Sequence, residues 1–412
     1  MRKIINKITY WAQVLLLPVY WLSFLFPRNK RIWLFGSTFG RRFADNPRYF
    51  FLYVSQHKEE LGIRPIWLSH DKKLTAFLRE NGYEAYYYHS IQGIWYALRG
   101  KVYLFDNYSK DINFWQSGRA LKVNMWHGIP LKKIQADNRF DAFRHPQNMW
   151  ERFCCFPRRL SDEKPSHYVL TTSAFLKPIF SSAFRTEHVL LSGYPRNDRL
   201  ITDGFENLLP DSEKKEQKKI LEFLQQGDSR KMVYYMPTFR ESEKKFFEVM
   251  NLQSFQTFLQ RNDILFCAKL HPKSKLNAEF AAIQGDNILV IDKDADPYTF
   301  LELADVLVTD YSSIYFDYLL TGKPVVFFDY DLQEYLSDTR EMYFDYQDFT
   351  PGRKAQNQEE FEKAIEVSCK AENAMETEYA DQYKRIRDCV FDVTDRMASP
   401  GMVEDIKEII GL

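Results

Sequence analysis

The chain beyond Lys30 repeats one pattern of apolar and polar positions. A short run of β-branched and aromatic residues is followed by a polar or glycine-containing turn, and then by apolar residues at helical spacing. This alternation predicts an α/β fold. The strands predicted in the first half are Ile32–Gly36, Pro65–Ser69, Val102–Phe105, Lys122–Met125, Tyr168–Thr171 and Val189–Leu191. Those predicted in the second half are Met232–Tyr235, Ile264–Lys269, Ile288–Ile291, Val306–Val308 and Val325–Phe328.

A segment rich in lysine and glutamate, Leu200–Asp228, separates the two sets of strands. We place the domain boundary there, near residue 205, so that the domains cover 31–205 and 206–412. Two halves of similar size that each alternate strand and helix predict two doubly wound, Rossmann-type domains that face each other across a cleft. In such sheets, ligands bind beyond the carboxyl ends of the strands.

The first 30 residues contain an uncharged apolar run, Ile8–Phe26, whose length is at the lower limit for a membrane-spanning helix. Basic residues flank the run on both sides, whereas a spanning helix tends to keep them on the cytoplasmic side. Trp11 and Trp21 prefer the headgroup region, and Pro18 favours a bend. We therefore expect residues 1–30 to form an interfacial or re-entrant membrane-associating helix, with a buried helix of the first domain as the alternative. The run is not followed by a cleavage site for a signal peptide, which argues against export.

Composition excludes one class of partner. Lysine and arginine together number 56, as do aspartate and glutamate, so the chain lacks the net basic field that is typical of nucleic-acid-binding proteins. An anionic ligand must therefore be bound by local groups. The five cysteines show neither C-x-x-C spacing nor a disulfide framework, which favours a reducing compartment.

Polar motifs follow six of the predicted strands. In chain order they are GSTFGRRFADNPRYF, WHGIPLKK, SGYPRND, MPTFR, LHPK and TDYSS. Because ligands of doubly wound sheets bind at the carboxyl ends of the strands, we expect these polar groups to surround one cleft. The SGYPRND motif adds Arg196 and Asn197 to the candidate substrate-binding residues.

The TDYSS motif, Thr309–Ser313, precedes a stretch with helical spacing. The N-terminus of a helix presents unpaired N–H groups and a partial positive charge, which together bind phosphate. The hydroxyl groups of Ser312 and Ser313 would add donors to a diphosphate, and Asp310 is a further candidate substrate-binding residue of this motif. Capping of the helix by Asp310 or by either serine is the alternative.

Cationic or protonatable groups follow two strands of the second half. Thr238 and Arg240 lie in the MPTFR motif, and Lys269 and His271 lie in the KLHPK stretch. Such groups can neutralise a pyrophosphate and stabilise the charge that develops as a nucleotide departs. A solvated arginine and a structural histidine are the alternatives.

His127 follows a predicted strand of the first half, and Gly128 after it permits close backbone approach. An imidazole can take a proton from an attacking hydroxyl group near neutral pH. A lone histidine in such a place is more often structural, so the position alone leaves both interpretations open.

Two other ligand classes are disfavoured. The stretch Asp292–Asp296 resembles the start of a calcium loop, but Pro297 stands where glycine is needed. Gly36 and Gly40 do not form G-x-G-x-x-G, which disfavours a nicotinamide cofactor. No cysteine has a histidine at zinc-ligand spacing, and we expect neither a metal nor a cofactor.

Taken together, the motifs resemble the CDP-glycerol glycerophosphotransferase family, the teichoic acid and capsule polymerases. The segments that carry the resemblance are WLFGSTFGRRFADNPRYF, WHGIPLKKI, GYPRND, PTFR, KLHPK and TDYSSIYFDYLLTGKPVVFFDYDLQEY. They spread over residues 33–335. The resemblance implies a GT-B-like fold with the acceptor side in the first half and the cytidine nucleotide in the second.

The resemblance also implies roles and partners. His127 and His271 match histidines on which the family relies, and Arg240, Ser312 and Ser313 match its donor-phosphate groups. The implied substrates are a CDP-polyol donor, with glycerol or ribitol, and a lipid-linked glycan or polymer acceptor. The implied location is peripheral, on the cytoplasmic face of the cell membrane.

Two other functions fit part of the pattern. A GT-B sugar transferase or nucleotide-sugar epimerase would share the fold and the diphosphate site, and release of CMP or of UDP distinguishes these enzymes. A non-catalytic membrane assembly factor would share the fold alone, and it would bind nucleotide without turnover.

Overall fold

The protein is described by a computed structural model that covers residues 10–412 apart from 142, 163–165, 203–206, 228, 284, 286, 339–340 and 372. The predicted boundary near residue 205 and the basic residues that precede the apolar run lie outside the described residues. Internal contacts divide the chain into two compact units. The first contains Met1–His127, Ile134–Leu208 and Asp392–Leu412, and the second contains Gly128–Lys133 and Leu209–Phe391.

The first unit contains a parallel seven-stranded sheet with the order β3-β2-β1-β4-β5-β6-β7. Its strands are β1 (Asn29–Phe35), β2 (Arg64–Ser69), β3 (Ala85–Tyr87), β4 (Gly100–Phe105), β5 (Leu121–Asn124), β6 (Tyr168–Leu170) and β7 (Val189–Leu190). Its helices up to residue 201 are α1 (Leu17–Leu22), α2 (Asp45–Gln56), α3 (Lys58–Leu61), α4 (Lys72–Glu80), α5 (Ile91–Arg99), α6 (Met149–Asp162), α7 (Lys177–Phe184) and α8 (Asp198–Ile201).

The central strand β1 shows why the sequence pattern predicts this sheet. Trp33, Leu34 and Phe35 are all fully buried. A parallel strand that is covered on both faces has a continuous apolar sequence rather than an alternating one. All the strands predicted in the first half are confirmed. The edge strand β3 was not predicted.

The second unit contains a parallel six-stranded sheet with the order β10-β9-β8-β11-β12-β13. Its strands are β8 (Lys231–Tyr235), β9 (Ile264–Ala268), β10 (Ile288–Val290), β11 (Val306–Thr309), β12 (Val325–Phe328) and β13 (Arg353–Ala355). Its helices are α9 (Asp211–Leu224), α10 (Lys244–Val249), α11 (Leu252–Arg261), α12 (Leu276–Ala282), α13 (Tyr298–Leu301), α14 (Ile314–Tyr318), α15 (Leu332–Asp338), α16 (Tyr346–Phe349), α17 (Gln358–Lys370) and α18 (Ala380–Val390). The strands predicted in the second half are confirmed, and β13 was not predicted.

The last helix, α19 (Ala398–Ile410), belongs to the first unit, although the sequence prediction placed every residue after 206 in the second domain. Asp198 explains the difference. Its buried carboxylate accepts hydrogen bonds from the backbone amides of Ala398 (2.6 Å) and Ser399 (3.1 Å). These amides belong to the first turn of α19, where they have no partner within the helix. This long-range cap holds the C-terminal helix on the first unit.

Over residues 10–25, the described part of the N-terminal segment is helical throughout and alternates between α and 3-10 geometry. Two 3-10 turns, Gln13–Leu16 and Ser23–Leu25, flank α1. On one side, the ring of Tyr20 is buried and stacks on Phe114 with 4.8 Å between centroids. On the other side, Leu15, Trp21 and Leu25 are exposed. Across the part of the chain that the structure describes, no helix has the length and apolar character needed to cross a membrane.

Candidate active site

His127 lies beyond the end of β5, in the first unit. Its Nδ1 is 3.2 Å from the backbone carbonyl oxygen of Asp106, the residue after β4. Because a carbonyl oxygen only accepts hydrogen bonds, Nδ1 carries the proton, and Nε2 of the neutral ring keeps its lone pair. The ring is exposed and packs against Trp126, with 3.9 Å between the ring centroids. His127 therefore presents a nitrogen that can accept a proton.

Two carboxyl groups order the loop that follows β1. The carboxylate of Asp106 accepts hydrogen bonds from the Ser37 hydroxyl group and the Thr38 amide, both at 2.8 Å. Asp111 accepts one from the amide of Phe39 at 3.1 Å, and burial followed by repulsion from Asp106 raises the pKa of Asp111. Thr38 and Phe39 adopt left-handed φ angles of 48° and 57°, which few non-glycine residues do. The two carboxyl groups therefore hold a strained backbone at the carboxyl end of the sheet.

Asn46 fixes the backbone that leads into His127. Its side chain is fully buried, and Nδ2 donates to the carbonyl oxygens of Met125 (3.1 Å) and Trp126 (2.9 Å). Trp126 has a left-handed φ of 50°, so these bonds stabilise an unfavourable backbone conformation. Oδ1 accepts a hydrogen bond from the backbone N–H of Arg196 at 3.2 Å. Sequence analysis assigned no role to Asn46, although it lies in the first polar motif.

Arg196 and Asn197 are both buried. The Nη1 of Arg196 lies 2.7 Å from the carboxylate of Asp45, the residue before Asn46. A guanidinium group with no exposed surface is placed to support a loop rather than to contact a ligand from solvent. The structure therefore brings Arg196 together with the backbone that positions His127.

We expect Asn46→Ala to lower kcat by roughly tenfold and the free energy of unfolding by about 1–3 kcal/mol, because it leaves two buried carbonyl oxygens without a donor. Urea unfolding and initial rates of product formation measure the two effects. Asn81→Ala is the matched control, since Asn81 also donates to a carbonyl oxygen, that of Phe77, at an exposed position of the same unit. Unchanged kcat in a folded Asn46→Ala protein would contradict the positioning role.

In the second unit, the side chain of Asp310 in the TDYSS motif forms hydrogen bonds with two residues of the MPTFR motif. Its carboxylate accepts hydrogen bonds from the amide of Thr238 (2.9 Å) and from Nη1 of Arg240 (2.6 Å). Arg240 also pairs with both carboxylate oxygens of Asp331, at 2.5 Å from Nε and 2.7 Å from Nη2. The hydroxyl group of Tyr311 donates to Asp331 at 2.9 Å. Asp331 received no role in the sequence analysis, although it lies in the last segment that carries the resemblance.

The environment of Arg240 differs from the one expected for a group that neutralises pyrophosphate. Four of its five N–H groups donate to Thr238, Asp310 and Asp331, and its side chain is only 9% exposed. Burial would raise the pKa of Asp331, but the hydrogen bonds and charge of Arg240 lower it, so this carboxylate stays ionised. With two carboxylates around one guanidinium, the cluster has no excess positive charge. Arg240 therefore links the backbone of the MPTFR motif to the side chain of Asp310 in the TDYSS motif.

His271 follows β9 and has an exposed ring. Its Nδ1 lies 3.2 Å from the backbone N–H of Lys273. An N–H group only donates, so Nδ1 is unprotonated and the neutral ring carries its hydrogen on Nε2. Burial, followed by the charges of Lys273 and Lys269, lowers the pKa of His271. His271 therefore presents an N–H donor, whereas His127 presents a lone pair.

Three hydroxyl groups lie near the Asp310 cluster. The Oγ1 of Thr238 is buried and has no hydrogen-bond partner among the described residues, which is uncommon for a buried polar atom. Ser312 and Ser313 are half-buried before α14, and Ser313 makes no side-chain hydrogen bond that caps this helix. A Cβ on Gly128 would lie 2.6 Å from the Oγ of Ser313, which confirms that Gly128 permits a close approach.

Lys269 is almost fully buried rather than open to a ligand. Its Nζ donates to the backbone carbonyl oxygens of Asp292 (2.8 Å) and Lys293 (2.9 Å), in the loop after β10. Among the residues that the structure describes, no three histidine, cysteine, aspartate or glutamate side chains form a group that could hold a metal ion.

Residues 19–408 match the sequence profile of the family described as CDP-glycerol:poly(glycerophosphate) glycerophosphotransferase. The chain belongs to this family. The resemblance inferred from the motifs is therefore confirmed over almost the whole length of the chain.

The glycerophosphotransferase relatives agree in length and fold. The chain is 27% identical over 406 residues to a teichoic acid poly(glycerol phosphate) polymerase of Bacillus spizizenii, covering 92% of this chain and 95% of the relative. It is 24% identical over 357 residues to a teichoic acid glycerol-phosphate transferase of Staphylococcus aureus, covering 80% and 82%. A structure of a variant of the wall teichoic acid polymerase TagF soaked with CDPG superposes with a TM-score of 0.72 at 20% identity, covering 100% of this chain and 97% of that one. The α/β fold with two parallel sheets is therefore shared with TagF.

Proposed function

We propose that this glycerophosphotransferase transfers glycerol phosphate from CDP-glycerol to a hydroxyl group of a lipid-linked teichoic acid or capsular polymer and releases CMP. The observation that carries the proposal is the pair of histidines with opposite reactive nitrogens. Nε2 of His127 has a lone pair, and Nε2 of His271 has a hydrogen. The first can accept a proton from an attacking hydroxyl group, and the second can donate to a phosphate oxygen. Both relatives reported above are named for glycerol phosphate, which makes CDP-glycerol the first donor to test and CDP-ribitol the second.

In the proposed reaction, the acceptor hydroxyl group attacks the β-phosphorus of CDP-glycerol. His127 Nε2 takes the hydroxyl proton while the new O–P bond forms. The bond between the β-phosphorus and the bridging oxygen breaks, and CMP leaves with the electron pair of that bond. Negative charge develops on the departing α-phosphate, where fixed hydrogen-bond donors stabilise it.

We assign the donor diphosphate to groups of the second unit. The Nε2–H of His271 and the hydroxyl groups of Thr238, Ser312 and Ser313 are its proposed donors. The hydroxyl group of Thr238, which has no hydrogen-bond partner in the described part of the chain, supports this assignment, because a ligand would complete its hydrogen bonding. Arg240 contributes by holding Thr238 in place through its hydrogen bond to the carbonyl oxygen of that residue.

We further propose peripheral association with the cytoplasmic face of the cell membrane. On the N-terminal segment, Trp21 is 63% exposed and Leu25 is 76% exposed. Helix α6 continues this surface, because Trp11 packs against Phe153 with 4.7 Å between ring centroids. Trp150 on α6 is 70% exposed. Exposed aromatic and aliphatic side chains on short helices are typical of interfacial membrane binding.

We expect the double variant Trp21→Ser and Leu25→Ser to lower the fraction of protein that sediments with anionic phospholipid vesicles severalfold, because it removes apolar area from the proposed contact. Trp95→Ser is the matched control, since Trp95 is also exposed, on α5 of the same unit. Equal sedimentation of both variants would contradict a role for this segment.

The function is tested by incubating the full chain with a lipid-linked acceptor mixture and each of CDP-glycerol, CDP-ribitol and a UDP-sugar. We expect CMP release from CDP-glycerol, with slower release from CDP-ribitol. Consumption of the UDP-sugar alone would support a sugar transferase or an epimerase instead. CDP-glycerol binding without turnover would support the assembly factor.

A further inference from the structure

A polar cavity of about 50 Å³ lies in the first unit. One water needs roughly 10–15 Å³ on the same measure, so the cavity can hold several waters or one small anionic group. Its wall comes from the loop after β4, from β5, and from α6 and α7. The side chains that define its chemistry are those of Asn107, Lys122, Asn124, Arg144, Ser161 and Arg185.

The charge of the cavity wall favours an anion. Lys122, Arg144 and Arg185 line it, and the described residues of the wall include no carboxylate. The Nε of Arg144 is buried and lacks a hydrogen-bond partner among the described residues, although Asp141 lies 3.3 Å away. Its Nη2 donates to the hydroxyl group of Tyr108 at 3.1 Å. Arginine and lysine side chains together with neutral donors form typical phosphate sites.

The cavity is built on the same strand end as His127. Asn124 is the last residue of β5, and its side chain accepts a hydrogen bond from the amide of Trp126 (2.9 Å) and donates to the carbonyl oxygen of Asn107 (3.2 Å). Phe184, which also lines the cavity, packs edge-on against Trp126 with 4.8 Å between centroids. An anion in the cavity would therefore contact residues that directly support the backbone of His127.

We propose that this cavity binds a phosphate group of the acceptor, a phosphomonoester or phosphodiester close to the hydroxyl group that attacks the donor. The proposal rests on the proposed function, in which His127 takes the proton of that hydroxyl group. An acceptor made of polyol phosphate units carries such a phosphate next to its terminal polyol. The cavity then orders an otherwise flexible acceptor by holding one anionic group, with Arg144 and Arg185 as the principal contacts.

Binding without turnover tests the site directly. The full chain is titrated in a calorimeter with a short glycerol phosphate oligomer and, separately, with inorganic phosphate. We expect Arg144→Gln and Arg185→Gln each to weaken oligomer binding by about tenfold or more, because each removes a charge-assisted contact. Lys177→Gln is the matched control, since it removes one exposed charge from the start of α7 while Arg185 lies just beyond its end. Arg185 is exposed, so its variant keeps the test valid even if Arg144→Gln does not fold.

Kinetics then separate this inference from the proposed function. With the oligomer as acceptor, we expect the KM for the oligomer to rise about tenfold or more in both variants and the KM for CDP-glycerol to stay unchanged. Oligomer affinity that is unchanged in Arg185→Gln, or variants that weaken only inorganic phosphate, would overturn the acceptor site. Normal oligomer binding without CMP release by the wild type would overturn the proposed function and leave the binding site standing.

Discussion

His127→Ala is expected to lower the rate of CMP release from CDP-glycerol by about 10²–10⁴-fold, the usual contribution of a general base. The physical reason is that the acceptor hydroxyl group then has no nearby group to take its proton as the O–P bond forms. The dissociation constant of CDP-glycerol should change little, because the proposed diphosphate contacts come from other residues. Single-turnover rates and equilibrium titration with CDP-glycerol measure the two quantities.

The tautomer of His127 sharpens this test. Nδ1 donates to the carbonyl oxygen of Asp106, so only a side chain with a basic atom at the Nε2 position can replace the function. His127→Gln presents an amide there, which is not basic, and should be as inactive as alanine. His188→Ala serves as the control, since His188 is an exposed histidine of the same unit. A rate for His127→Ala within tenfold of the control would exclude His127 as the base.

Sequence analysis missed two strands, β3 and β13, because contacts with neighbouring parts of the chain rather than their own sequences place them in the sheets. Each has three residues and forms an edge of its sheet, β3 beside β2 and β13 beside β12. The β13 sequence, Arg353–Ala355, contains two cations and no apolar alternation, so propensity gives no signal for a strand. Its place is set by the neighbouring chain: a Cβ on Gly352 would lie 2.1 Å from the carbonyl oxygen of Val325. The central strands, by contrast, are continuous apolar runs, so their own sequences predict that they are buried.

The features of the candidate site also fall into two groups: those that the sequence predicts and those that depend on tertiary contacts. The position of His127 and His271 after strands follows from the alternation of apolar and polar segments. The tautomer of each ring could not be predicted, because it depends on a backbone group outside the motif, as with Asp106, or on a turn geometry. Asn46 and Asp331 were missed for a related reason, since they act on backbone or side chains far away in sequence. A sequence motif identifies the reactive side chains, whereas the residues that hold those side chains in place are determined by the fold.

Arg240→Leu is expected to lower the free energy of unfolding by about 3–5 kcal/mol, because it leaves two buried carboxylates without their counter-ion. The side chains of Asp310 and Asp331 are only 2% and 11% exposed. Urea unfolding of the full chain, followed by a probe in the second unit, measures the change. Lys245→Ala is the control, since it breaks an exposed pair with Glu334 and should cost less than about 1 kcal/mol.

The double variant Arg240→Leu and Asp331→Asn distinguishes a positioning role from direct contact with the donor. Asp331→Asn removes one of the two carboxylate charges that Arg240→Leu leaves without a counter-ion. The asparagine still accepts the hydrogen bond from Tyr311, so we expect the double variant to regain about half of the lost stability or more. In the double variant the cluster has the same net charge as in the wild type, and Asp310 still accepts the hydrogen bond from the amide of Thr238. If Arg240 acts by balancing the charge around this bond, the affinity for CDP-glycerol should recover together with stability. If Arg240 instead neutralises the diphosphate, stability would recover while affinity remained low. The hydrogen bonds already made by four of the five N–H groups of Arg240 lead us to expect recovery of both.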